Sequence, residues 1–144
     1  MSGLEPLLAL GLACNVMQVI DFASKTTSTC KSIFQSGSPD PALTSTVAQL
    51  TSVFQGLENS LSSAPQPRSR DEHALFEVAR GCLTVTADLK AEVAKISNSA
   101  SKGAYLGAIG GSLKSILRRR KIETLEKSLA AHQKILETHL LVRI

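Results

Sequence analysis

The sequence predicts an all-α fold, an antiparallel bundle of four to five helices, and three observations predict it. Apolar residues recur at steps of three and four through most of the chain, no run alternates with the period of two that a strand requires, and Pro, Gly and Ser clusters cut the 144 residues into segments of helical length. That length suits one domain, 1–144, built on one core. With 43% hydrophobic and 19% charged residues, the chain has enough apolar surface to offset the entropy of ordering, which excludes wholesale disorder.

The first helix is expected over about 6–36. Pro6 suits a first turn, Glu5 complements the positive end of the dipole, and Gly11 is the sole helix breaker before Gly37. Its first half is apolar almost all the way round: Leu8, Leu12, Val16, Val19 and Ala23 form one stripe, Leu7, Leu10, Cys14 and Met17 fill much of the remainder, and Asn15 and Gln18 interrupt it. Ser and Thr crowd residues 24–32 and lower helix propensity, leaving a bend near 25–30 open. Asp40 before Pro41 reads as an N-cap opening a second helix, 41–62, whose Leu43, Val47, Leu50, Phe54, Leu57 and Leu61 share a face. A third, 69–97, begins with Asp71 and Glu72 in its first turn and aligns Leu75, Val78, Ala79, Cys82, Val85, Leu89, Val93 and Ile96; Gly81 is read as a cost of about 1 kcal/mol. After the Gly- and Ser-rich stretch 98–111, a short helix near 112–117 and a last one over 119–142 are expected. The last turns Ile122, Leu125, Leu129, Leu136 and Leu140 inward and pairs Glu123 with Lys127 outside.

Composition narrows the chemistry. Aromatics are 3% of the chain, Trp is absent, and stacking platforms for bases or sugars are therefore disfavoured. Cys14, Cys30 and Cys82 form no CxxC pair and cannot close a disulfide framework, which fits a reducing compartment. No catalytic, metal-binding or cofactor-binding residues are assigned. His73, His132 and His139 share no ligand spacing with a cysteine or carboxylate pair, and no nucleophile, base and orienting acid can be paired from the motifs present. The Gly103–Ser112 stretch lacks the lysine that a phosphate loop carries after its last glycine. Its Gly103, Gly107 and Gly111 also satisfy GxxxG spacing, but a plain loop is the favoured reading.

Charge is uneven: residues 1–63 carry net −2, 64–111 net +1, and 112–144, with eight basic against three acidic residues, net +5. The run Arg118, Arg119, Arg120 and Lys121 has a plain reading as a solvated face. At a helix start cations oppose the dipole, so packing alone does not account for the run, and among functional readings anionic lipid headgroups rank above nucleic acid because no aromatics interleave it. The uncharged stretch Pro6–Ile20 would span roughly 22 Å as a helix, short of a ~30 Å hydrocarbon core. It lacks the basic flank and cleavage site of a signal peptide, so it is expected to be retained, either as a core helix or as a membrane-seeking one. The apolar close at 141–144 leads us to expect further sequence beyond it.

Two segments carry a resemblance. The opening, residues 8–25 (LALGLACNVMQVIDFASK), and the tail, residues 112–129 (SLKSILRRRKIETLEKSL) closing on His139-Leu140-Leu141-Val142, resemble the start and end of the HeLo-like domains, including the SesA variant, that open fungal NOD-like receptors of the STAND class. Leu117 stands where many relatives have an aromatic. The resemblance implies a helical bundle without enzymatic activity or cofactor, acting in programmed cell death, heterokaryon incompatibility or innate immunity. It implies self-association and a nucleotide-binding STAND domain in cis or in trans as partners, a cytoplasmic resting state, and recruitment to anionic lipids of the plasma membrane. The positions it implicates in membrane insertion are Leu4, Leu7, Leu8, Leu10, Leu12, Val16, Val19 and Ile20. The alternative is an adaptor bundle whose first helix stays in the core.

Overall fold

A computed structural model of the chain describes residues 6–37, 40–67, 69–101 and 113–140. It is an all-α bundle of four main helices: α1 (Pro6–Ser36), α2 (Ala42–Ser63), α3 (Arg70–Ser101) and α4 (Leu113–Ile135), the last continued by a π-helical turn, Leu136–Leu140.

Local chemistry sets the helix ends. Gly37 closes α1 with a positive φ of 69°, its N–H donating to the Ile33 carbonyl over 2.8 Å, a left-handed cap that glycine adopts without strain. Asp40 then accepts the Ala42 N–H at 2.9 Å, ahead of Pro41 in helical backbone geometry. At α3 the Ser69 hydroxyl accepts the Glu72 N–H at 3.0 Å.

Three expectations change. Thr26, Thr27 and Thr29 do not break α1 into two elements: their hydroxyls donate to the carbonyls of Phe22, Ser24 and Lys25, which satisfies them inside one continuous helix. α3 runs through Ser97, Asn98 and Ser99 to Ser101, because a few tenths of a kcal/mol in propensity per residue do not stop a helix already nucleated. The short helix expected at 112–117 and the long one from 119 are a single element from Leu113, since Leu, Arg and Lys are all good helix formers. The Gly103–Gly111 stretch lies outside the described residues.

Two apolar clusters stacked along the axis give the topology. One joins Ala9–Ile20 of α1 to Leu57 of α2, Leu75–Cys82 of α3 and Leu136; the other joins Ala23–Ile33 to Leu43 and Leu50, Val85–Ile96, and Ile122–Leu129. Sequence therefore runs from the first cluster to the second in α1 and α3 and in the reverse sense in α2 and α4, an up-down-up-down order. α1 packs against all three other helices, whereas α2 and α4 scarcely meet. Ala13 and Ala79 in the first cluster, both fully buried, allow this close approach of α1 to α3 across the diagonal. α1 is thus the central helix of the bundle.

Candidate functional site

On α1 the apolar residues divide into two faces. Leu12, Val16, Val19 and Ile20 are buried, with Ala13 and Ala23 between them. Leu10, 45% exposed, and Met17, 39% exposed, stand on the opposite side with Gly11, Cys14 and Gln18, so the solvent face from residue 10 to residue 18 carries no charge. Leu4 lies outside the described residues, and Leu7 and Leu8 belong to α1 without a described side-chain environment. The eight positions implicated in membrane insertion therefore do not form one surface: Leu10 faces solvent and four others fill the core.

Polar contacts fix α1 in the bundle. Asn15 Nδ2 donates to the Ser60 hydroxyl of α2 at 2.6 Å. Toward the other end Lys31 Nζ meets Glu126 Oε1 of α4 at 3.0 Å, and the Thr27 hydroxyl lies 3.4 Å from Glu126 Oε2. Both side chains of this ion pair are about one-third exposed, so its contribution is at most about 1 kcal/mol, and its main effect is to set the register of α1 on α4. Nearer the middle of α1, a shallow groove of about 420 Å³ is lined by Met17, Gln18, Ile20, Asp21 and Ser24 together with Gln133 of α4.

The basic run changes its meaning on the helix. Arg118–Lys121 begins five residues inside α4, not at its N-terminus, so the dipole argument for an unusual position does not apply. At about 100° per residue, four consecutive side chains leave the helix in four directions. Arg118 and Lys121 border a cleft of about 480 Å³ with Leu117 and with Glu92 and Lys95 of α3. There the largely buried Glu92 carboxylate meets Lys95 at 3.5 Å. Arg119 and Arg120 are exposed. The expected Glu123–Lys127 pair is not closed; Lys25–Asp21, Lys31–Glu126 and Lys95–Glu92 are ion pairs between described residues, and Asp71, Glu72 and Arg118 are also engaged.

Titratable groups are arranged for packing. Burial pushes the thiols of Cys30 and Cys82 up to about 12, which leaves them without nucleophilic thiolate at neutral pH, while Cys14 is exposed. The His132 Nδ1–H donates to the Ser128 carbonyl at 2.7 Å and Nε2 faces Gly81, so neither ring nitrogen addresses a serine hydroxyl. His73 is exposed, and the side chain of His139 is not among those described. Among the described residues no group of three or more His, Cys, Asp or Glu converges on a metal-sized site, and no helix is long and apolar enough to cross a membrane. No family model matches the chain, and neither do any curated protein or solved structure.

Proposed function

We propose that the chain is a non-enzymatic cell-death effector of the kind that precedes the nucleotide-binding domain of a fungal NOD-like receptor, and that it acts on membranes through α1 once copies are gathered by oligomerisation. The observation that carries this reading is the two-sided apolar character of α1, with Leu12, Val16, Val19 and Ile20 inside and Leu10 and Met17 outside. A helix used only as a core element presents polar residues to solvent; one that also meets an apolar phase has no need of them.

Magnitudes set the conditions. Burial of Leu12, Val16, Val19 and Ile20 contributes about 1.5–3 kcal/mol each, together comparable to the ~5–15 kcal/mol that stabilises a whole domain. A solitary chain in the cytoplasm therefore keeps α1 in place, and clustering together with lipid supplies the difference on the plasma membrane. Because α1 is too short in its apolar part to cross a bilayer alone, insertion is shallow or shared among copies.

The same burial favours a second reading, an adaptor that binds a protein partner with α1 left in the core. Dye release from anionic liposomes by residues 1–144, gathered at high density on the vesicles through a C-terminal tether, separates the two, using a Leu10→Glu/Met17→Glu variant whose charges lie on the solvent side. The effector reading expects leakage by the parent chain and its loss in the variant at unchanged helicity by circular dichroism. Equal leakage from both contradicts a role for the outward side of α1, and no leakage from a folded, clustered parent favours the adaptor.

A further inference from the structure

We infer that the outward face of α4 is a docking surface for an anionic phospholipid bilayer, used by the folded bundle while α1 is still in its core. This deepens the membrane reading above by assigning the first, reversible contact to a different helix.

The face emerges from helical register. Leu117, Arg120, Thr124, Lys127, Ala131 and Lys134 follow one another at steps of three and four, and every one of them is exposed. Ile116 and Leu117, 41% and 54% exposed, lie at one end of this stripe and Ile135, 42% exposed, at the other. Arg120, Lys127 and Lys134 recur every seven residues between them, so each lies about 10 Å further along the same side. No acidic residue belongs to the stripe. The carboxylates of α4 are placed elsewhere: Glu126 holds Lys31 of α1, and Glu123 is half-buried beside the stripe. Glu137, beyond α4 in the π-helical turn, accepts a hydrogen bond from Gln133 at 2.9 Å. Arg120, Lys127 and Lys134 form no ion pair with another described residue.

Three features select a bilayer as occupant. The large apolar side chains sit at the two ends of a stripe roughly 27 Å long, where a helix lying in the interface plane would sink them below the headgroups while the intervening cations meet phosphates. α4 has no aromatic residue, so it offers nucleic-acid bases no stacking platform. Charge is also uneven between the helices: α2, which scarcely meets α4, carries Glu58 as its one charged residue, while residues 112–144 carry net +5. In the field of an anionic surface this asymmetry turns α4 toward the membrane.

The test uses residues 1–144 in co-sedimentation with vesicles of phosphatidylserine and phosphatidylcholine, and with phosphatidylcholine alone. Each cation near an anionic surface is worth about a fivefold change in partitioning, so Arg120→Gln/Lys127→Gln/Lys134→Gln, all solvent-exposed changes, should bind the mixed vesicles about a hundredfold more weakly. Leu117→Ser/Ile135→Ser should also weaken binding, and 1 M salt should abolish it. Leu10→Glu/Met17→Glu should bind like the parent chain. Undiminished binding by the triple variant overturns the inference. So does a folded parent chain that ignores phosphatidylserine vesicles, whether it binds nothing or takes up polyglutamate or duplex DNA instead. Loss of docking on α4 substitution upholds this surface whatever the leakage, whereas normal docking of the parent chain without leakage refutes the effector reading alone.

Discussion

A Cβ placed on Gly81 would run into the imidazole of His132, whereas one placed on Gly11 would meet nothing within 4 Å. Both glycines lie inside helices, where alanine is favoured by roughly 0.5–1 kcal/mol. Gly11→Ala should therefore raise the urea midpoint by an amount worth about 1 kcal/mol, while Gly81→Ala should lower stability by about 1–3 kcal/mol through overpacking between α3 and α4. Shortening His132 to alanine in the same chain should recover part of that loss, the mark of a coupled pair. Sequence showed only the propensity cost of Gly81, because its reason lies 51 positions away on another helix. The cysteines make a second contrast. Cys30 and Cys82 hold their protons up to about 12, against an ordinary 9.0, because a buried thiolate is poorly solvated. The folded state thus binds protons that the unfolded state releases near 9.0, so their stabilisation is complete below that pH and is lost as pH rises toward 12. Iodoacetamide at pH 8 should modify Cys14 alone in the native chain, and all three cysteines after denaturation, as read by mass spectrometry.

The helices themselves were legible because burial follows period. Every apolar position aligned on α3, from Leu75 to Ile96, is buried, and so are Ile122, Leu125, Leu129 and Leu136 beyond the loop. What period leaves undecided is a helix apolar on all sides: α1 had two stripes of comparable hydrophobicity, and only its three neighbours decide that Leu12 and Val16 go in while Leu10 and Met17 stay out. This changes which substitutions are informative. Glutamate at Leu12 or Val16 would bury a carboxylate without a partner and unfold the bundle, so it reads stability; glutamate at Leu10 or Met17 reads surface contact. On α4 the linear run Arg118–Lys121 spreads round the helix, so it does not mark one face. Adjacent cations diverge around a helix, whereas Arg120, Lys127 and Lys134 share a side, and the interrupted spacing conceals them among Glu123 and Glu126.

The bundle's central helix is its most apolar one, clipped to α2 by Asn15 and to α4 by Glu126, and its most basic face lies outward on α4. Docking through α4 needs no rearrangement, whereas use of the buried side of α1 requires dismantling the cluster that also holds Leu57, Leu75, Phe76 and Leu136. The two steps therefore differ in cost by most of the stability of the domain, and only the second is expected to depend on clustering. The most direct measurement of this order is photo-crosslinking by a phospholipid with a reactive group at its acyl-chain end, mapped on tryptic peptides while dye release is followed. The segment from Met1 to Lys25 contains no earlier tryptic site and spans the first half of α1, so adducts on it are distinguishable from those on α4. Adducts in this segment that appear together with leakage from anionic vesicles, and are absent with phosphatidylcholine alone, are the predicted result. Leakage accompanied by adducts on α4 peptides only would contradict the release of α1.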